Sequence, residues 1–157
     1  KFFKQKLRSV VELSLKSEYA ILAMLELANN FAIDQPPLQI RQIATQQNIP
    51  DRYLEQLLAA LKRQGLVKSQ RGAKGGYILS RAPWEISLLE IIRGIEGYDP
   101  ISEKNSKSGN ESASLSVILE VWEAAQKSAS NVLDGCTLKD LCDRQRQRQI
   151  ATTMYYI

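Results

Sequence analysis

A cationic, glycine-rich stretch is the part of this sequence whose residue types most clearly favour binding to a charged ligand. Positions 62 to 81 contain six basic residues and no acidic one: Lys62, Arg63, Lys68, Arg71, Lys74 and Arg81. Cations without neighbouring carboxylates attract polyanions. Gly72, Gly75 and Gly76 permit close backbone approach, so Arg71 and Lys74 can reach phosphates or a narrow minor groove. The stretch therefore predicts duplex DNA as the ligand.

The helix expected to begin at Asp51 carries a second set of groups that suit DNA. Leucines recur along it at helical spacing and predict one buried face. Its opposite face carries Arg52, Glu55 and Gln56. In the major groove, Arg pairs with guanine and Gln pairs with adenine. An ordinary solvated helix face would show the same mixture, but the basic stretch that follows favours a recognition helix.

The elements around these groups predict a winged helix–turn–helix, which is mainly α with a small β-wing. A short helix beginning at Ile40 ends at Asn48, a residue type that tolerates left-handed backbone. The recognition helix follows and stops at Gly65. Apolar runs at 66–67 and 77–79 then alternate like the strands of a hairpin. A nucleotide-binding loop is not expected, because the glycine spacing fits neither a P-loop nor a dinucleotide fingerprint.

Two further helices are predicted to complete the core. Ser17 can cap a helix that runs to about Phe31, and this helix is apolar on nearly all faces. Ser87 and Glu90 form a capping box that opens the other helix, which ends at Gly97.

A long helix is expected from residue 115, with apolar residues every three or four positions: Leu115, Ile118, Trp122, Ala125, Ala129 and Val132. This heptad pattern is typical of a helix–helix seam. Because the DNA-binding unit closes its core without this helix, we expect a dimerisation helix and a homodimer on a pseudo-palindromic operator. The alternative is packing within its own chain. Thr137 is expected to cap a last, short helix.

The chain is expected to divide into three parts. Residues 1–97 form the DNA-binding domain with an N-terminal arm, and they carry fourteen Lys and Arg against nine Asp and Glu. Residues 98–114 form a flexible polar loop, and residues 115–157 hold the dimerisation helix and a C-terminal tail. The basic first part favours a polyanion partner, although a solvated basic face would look the same. Residues 2–12 are predicted to be either a short amphipathic helix or a frayed basic arm.

Composition excludes several classes of protein. No apolar run approaches the roughly 20 residues of a membrane span, and basic residues interrupt the apolar start, so neither a span nor a secretory signal is expected. With no histidine and no nucleophile–base pair, the chain is not expected to be an enzyme. Cys136 and Cys142 do not make a disulfide framework, and a cytoplasmic location is expected. Three roles stay open for these cysteines: they are structural, they form a reversible disulfide, or they sense oxidants.

Four segments resemble the Rrf-type winged-helix transcriptional regulators. They are LSLKSEYAILAMLELA (13–28), YLEQLLAALKRQGLVKSQRGAKGGYILSR (53–81), ISLLEIIRGIEG (86–97) and VLDGCTLKDL (132–141). This family includes the iron–sulfur cluster regulator, the nitric-oxide-sensing repressor and the cysteine-metabolism repressor. The resemblance implies a homodimeric transcription factor that binds double-stranded DNA.

The resemblance also implies which residues meet DNA. On the recognition helix they are Arg52, Tyr53, Glu55 and Gln56. In the wing, which serves the minor groove, they are Arg71, Gly72, Lys74, Gly75 and Gly76.

The cofactor is where the sequence departs from the family. Many members hold an iron–sulfur cluster on three cysteines in the loop before the dimer helix, but residues 98–114 contain no cysteine. We therefore expect no cofactor. The alternative is a cluster held across a dimer by Cys136 and Cys142. Glu18 matches a carboxylate ligand position of some members.

The sequence leaves one other function open. A module that keeps this fold could regulate by docking a metabolic enzyme or another protein, with the polar loop as its contact. It would form protein complexes without protecting DNA.

Overall fold

The structure is a computed structural model, and it describes residues 13–32, 35–97 and 112–156. Its helices are α1 (Leu15–Asn29), α2 (Ile40–Gln47), α3 (Asp51–Arg63), α4 (Leu88–Glu96), α5 (Ala113–Asp134) and α6 (Leu138–Tyr155). Strands β1 (Val67–Gln70) and β2 (Gly76–Leu79) and a 3-10 turn at Pro83–Glu85 lie between α3 and α4. The predicted mainly α fold with a small β-wing is confirmed. The expectation for residues 2–12 lies outside the described part of the chain. Of the loop expected at 98–114, only residues 112–114 are described, and α5 begins at Ala113, two residues before its expected start.

Helix α1 is the centre of the core, and α3, α4 and α6 pack against it. Ala20 and Met24 on this helix are fully buried. The predicted cap at Ser17 is wrong, because the helix begins at Leu15 and its N-cap is Ser14. The Oγ atom of Ser14 accepts a hydrogen bond from the backbone N–H of Ser17 at 3.1 Å.

The hydroxyl of Ser17 joins two helices instead. It is buried and donates to Oε1 of Glu96, the last residue of α4, at 2.6 Å. The Ser14 hydroxyl donates to the same oxygen. One carboxylate therefore fastens the start of α1 to the end of α4.

Helices α2 and α3 form the predicted helix–turn–helix. Helix α2 ends at Asn48, whose φ of 53° is left-handed, as predicted. Ile49 is 3% exposed and closes the core at the turn. The leucines of α3 are all buried: Leu54, Leu57, Leu58 and Leu61. Burying each such side chain stabilises the fold by about 1.5–3 kcal/mol, so this face fixes the rotation of α3 and leaves the opposite face to solvent.

The wing is an antiparallel hairpin with an added backbone bridge. Strands β1 and β2 pair with Gln70 opposite Gly76. Leu38 also bridges Tyr77 on β2. The Leu38 N–H donates to the Tyr77 carbonyl at 3.1 Å, and the Tyr77 N–H donates to the Leu38 carbonyl at 2.8 Å. Because Leu38 lies just before α2, the bridge joins the wing to the helix–turn–helix.

The remaining helices complete the body and extend from it. Ser87 Oγ accepts from the Glu90 N–H at 3.2 Å and caps the start of α4. The predicted capping box is only half formed, because the Glu90 carboxylate pairs with Arg81. Gly97 ends the helix with a φ of 73°, as predicted. Helix α5 packs against α4, whereas α6 packs against α1 and the 3-10 turn. Thr137 is the N-cap of α6, as predicted, but the helix has 18 residues and is not short. All residues from 146 to 156 are exposed, so the extension gains little packing.

None of the helices in the described part of the chain combines the length and the apolar character needed to cross a bilayer.

Candidate nucleic-acid interface

One face of α3 presents the polar side chains predicted to meet DNA. Arg52, Glu55 and Gln56 are exposed, and their spacing of three and four residues places them on one side of the helix. That side lies opposite the buried leucines. The last turn carries Lys62 and Arg63, which are also exposed. Helix α3 therefore offers hydrogen-bonding groups in its first turns and cations in its last turn.

Tyr53 differs from these neighbours because it is half-buried. Its ring meets the ring of Tyr19 on α1 edge-on, with ring centroids 5.7 Å apart and planes at 75°. Such a pair stabilises by about 0.5–1.5 kcal/mol beyond the burial of its area. Tyr53 therefore anchors the first turn of α3 to the core helix, a role that sequence reasoning missed.

The wing tip holds two cations away from the body. Arg71 and Lys74 are exposed between the strands. Gly72 has a φ of 112°, which side chains rarely adopt, and its carbonyl accepts from the Gly75 N–H at 3.0 Å. A Cβ on Gly75 would lie 2.3 Å from the carbonyl oxygen of Gln70. Both glycines are therefore needed to form the turn itself.

Besides the packing of Val67 and Leu79 in the core, two hydrogen-bonded contacts connect the wing to the helix–turn–helix. Lys62 Nζ donates to Ser69 Oγ at 2.5 Å and links the last turn of α3 to β1. The Leu38–Tyr77 bridge links β2 to the segment before α2, directly beside Gly76. The predicted DNA-binding residues of α3 and of the wing thus belong to one connected unit.

Arg81 is the last basic residue of the stretch from 62 to 81, but in the folded chain it lies beside an acidic side chain. Arg81 pairs with Glu90 of α4, and the two side chains are 41% and 40% exposed. Arg81 also donates to the Glu85 carbonyl at 3.2 Å. Since Glu90 neutralises Arg81 from another helix, the cationic surface is limited to residues 62–74.

Helix α5 exposes only part of the predicted seam. Four members are exposed: Leu115, Ile118, Ala125 and Val132. Trp122 and Ala129 are half-buried, as is Leu133, and Ser130 among them is buried. This side of α5 is therefore the one that packs against α4, and the predicted seam spans two sides of the helix.

Two apolar residues that sequence reasoning missed extend the exposed side. Val117 and Val121 are 61% and 69% exposed and lie one turn apart. We use the name α5 stripe for the exposed apolar set of Val117, Ile118, Val121, Ala125 and Val132. The sequence does carry a signal for this stripe, because Ile118, Val121 and Ala125 follow one another at spacings of three and four residues. The heptad pattern counted from Leu115 instead selected residues on two sides of the helix.

The cysteines do not fit an iron–sulfur cluster within one chain. Cys142 is 3% exposed, and burial raises the pKa of its thiol, which stays protonated at neutral pH. Cys136 is half-buried, and Glu18 is exposed on α1. Across the described ranges, which include both cysteines, no three His, Cys, Asp or Glu side chains are arranged to hold a metal ion. The function described below therefore does not depend on an iron–sulfur cluster.

The two cysteines are not joined in the structure. Cys136 lies just before the cap of α6, and Cys142 lies inside that helix. Both are free thiols.

A helix–turn–helix followed by a basic hairpin is the architecture of a winged-helix DNA-binding regulator. The chain belongs to the Rrf2 family, whose family model, described as an iron-dependent transcriptional regulator, matches residues 13–144.

Individual relatives agree with this assignment. The HTH-type transcriptional regulator CymR of Bacillus subtilis (strain 168) is 37% identical over 147 residues, which cover 94% of this chain and 100% of CymR. The solved structure of CymR, described as the global cysteine regulator of B. subtilis, has a TM-score of 0.72 at 36% identity and covers 85% of this chain and 97% of that one. For T. potens IscR the TM-score is 0.71 at 38% identity, with coverage of 88% and 90%. The winged-helix fold is confirmed, and the chain is a DNA-binding transcriptional regulator, a role that is not enzymatic.

Proposed function

We propose that this regulator acts as a homodimer on a pseudo-palindromic operator, with α3 in the major groove and the wing in the minor groove. The observation that carries the proposal is the exposed face of Arg52, Glu55 and Gln56 on a helix connected to a cationic wing. The major groove is about 12 Å wide and admits a helix of this kind.

Each side chain has a chemical role in this arrangement. Arg52 donates to guanine, Gln56 pairs with adenine and Glu55 accepts from the amino group of cytosine. Arg71 and Lys74 provide positive charge to the backbone or to a narrow minor groove. Base contacts of α3 would set the sequence preference, whereas contacts of the wing would mainly set affinity.

The α5 stripe supports the homodimer. Helix α5 has 22 residues, so it is about 33 Å long. Single exposed apolar side chains are ordinary on protein surfaces, but a contiguous apolar stripe is typical of an interface. Two copies of the stripe can pack about a two-fold axis, which would present two α3 helices to half-sites about 34 Å apart.

Selection from a random duplex pool tests the proposal without a known operator. The full chain should enrich inverted repeats and bind them as two chains per duplex. Affinity should fall steeply between about 50 and 200 mM salt, because phosphate contacts release counterions. Enrichment of sites without two-fold symmetry, or binding by one chain, would contradict the dimer.

The same selection separates the alternative of a partner-docking module. A module that acts only through other proteins would enrich no duplex sequence, and its affinity for DNA would not depend on sequence.

A further inference from the structure

Gly76 lies where β2 passes closest to the segment that leads into α2. A Cβ on Gly76 would lie 2.4 Å from the carbonyl oxygen of Leu38 and 3.1 Å from the backbone nitrogen of Gln39. The first distance is shorter than Cβ atoms tolerate. Because the obstacle is backbone, no side-chain movement can relieve it, and only glycine fits at this position.

This close approach allows the Leu38–Tyr77 bridge to form. Two backbone hydrogen bonds, of 3.1 and 2.8 Å, make up the bridge. Leu38 is itself half-buried and packs against the core, so the bridge attaches the wing to a fixed part of the chain. On the other side of β2, Gly76 pairs with Gln70 of β1, which is the residue directly before Arg71.

We propose that Gly76 is a positioning residue for DNA binding: by allowing the bridge, it sets where the wing holds Arg71 and Lys74 relative to α3. The inference rests on the proposed function. Gly76 is half-buried between Leu38 and Gln70, and it contributes no side chain to DNA. Its role differs from that of Gly72 and Gly75, which shape the tip of the wing.

The energetics explain why the bridge matters. An isolated two-stranded hairpin is marginally stable in water. Without the bridge, β2 loses its attachment to the segment before α2. Leu79 still packs in the core and β2 still contacts α1, so only the end of the hairpin beyond Tyr77 depends on β1 and the Lys62–Ser69 contact. This end of the wing would then sample several angles, and its two cations would no longer meet DNA in one place.

The test compares Gly76→Ala with the wild-type full chain on an inverted-repeat duplex taken from the selection. We expect affinity to fall roughly tenfold to a hundredfold at about 0.1 M salt, and the salt slope to fall by about two, one for each lost wing contact. Circular dichroism and oligomeric state should not change. Ala151→Ser, which adds one atom at an exposed residue of α6, is the control and should bind like wild type.

A mutant cycle separates positioning from a general loss of stability. Arg71→Ala should weaken binding in the wild-type background and have little further effect in Gly76→Ala, because the wing is already displaced. Equal losses in both backgrounds, or a Gly76→Ala chain with wild-type affinity and slope, would overturn the inference. If Gly76→Ala does not fold, Leu38→Pro removes one donor of the bridge and should give the same loss of slope.

Amide exchange tests the bridge independently of DNA. The Tyr77 amide should be protected in the wild-type chain and lose protection in Gly76→Ala. Retained protection overturns the inference even if the protein binds DNA, whereas a wild-type chain that binds no duplex contradicts the proposed function itself.

Discussion

The ring of Tyr19 on the core helix meets the ring of Tyr53 on the recognition helix edge-on, with ring centroids 5.7 Å apart. This contact lies in the first turn of α3, next to Arg52. The core therefore supports the part of α3 that is proposed to enter the major groove first.

Removing one ring of this pair should cost stability. Tyr19→Ala should lower the free energy of unfolding by about 1–3 kcal/mol, because a half-buried ring and an aromatic pair are lost. Tyr19→Phe keeps the ring and should unfold close to wild type in urea. Equal stability of the two variants would show that the ring contact does not contribute.

The carboxylate of Glu96 should also be a stabilising contact. Glu96→Ala leaves the buried hydroxyl of Ser17 without its acceptor, and we expect a loss of about 1–3 kcal/mol in urea unfolding. Glu96→Gln keeps an acceptor oxygen and should cost less. Adding Ser17→Ala to Glu96→Ala should recover part of the loss, since the unsatisfied hydroxyl is removed. If Gln costs as much as Ala at position 96, the shared hydrogen bond is not what joins α1 to α4.

Cys142 should be the less reactive thiol. Burial raises its pKa, so little thiolate is present near neutral pH. Peptide mapping after brief alkylation at pH 7 should find Cys136 modified before Cys142, whereas in urea both should react. Comparable rates in the folded chain would contradict the burial of Cys142.

The same shift makes stability depend on pH. Because the folded pKa of Cys142 exceeds the unfolded value, its contribution is fully present below the unfolded pKa and is lost as pH rises through the folded pKa. Wild-type stability should therefore fall more steeply than that of Cys142→Ala above about pH 8.5. Parallel pH profiles would be evidence against the shift.

A charge in the middle of the α5 stripe should separate the proposed dimer. Val121→Glu would bury an unpaired carboxylate against the partner, and we expect the dissociation constant to rise at least about a hundredfold in sedimentation velocity. Lys127→Glu changes a charge on another side of the same helix and should leave the dimer intact. A Val121→Glu chain that sediments like wild type would place the interface elsewhere.

Helix boundaries set by nearby residues could be predicted from the sequence. Asn48 ends α2, Gly97 ends α4, and Ser87 and Thr137 cap their helices because each choice depends on a few adjacent residues. The leucine spacing likewise predicted which side of α3 is buried.

Features that depend on distant residues could not be predicted in this way. The cap of α1 is Ser14, and the hydroxyl of Ser17 bonds instead to Glu96, 79 positions away. Arg81 leaves the cationic surface because Glu90 folds back onto it. The spacing of apolar residues predicted how they are distributed around α5. Which side of α5 is covered by α4 depends on tertiary packing, which the spacing does not contain.

The central claim is that α3 reads base sequence and the wing binds the backbone or minor groove. The most direct test is duplex binding by Arg71→Ala and Gln56→Ala, measured side by side against the selected operator and its single-base variants. Arg71→Ala should weaken binding to all sequences and lower the salt slope by about one. Gln56→Ala should cost about 1–3 kcal/mol on the operator and relax preference at one position of each half-site. Unchanged affinity and slope for Arg71→Ala, together with unchanged preference for Gln56→Ala, would contradict the proposed DNA-binding surface.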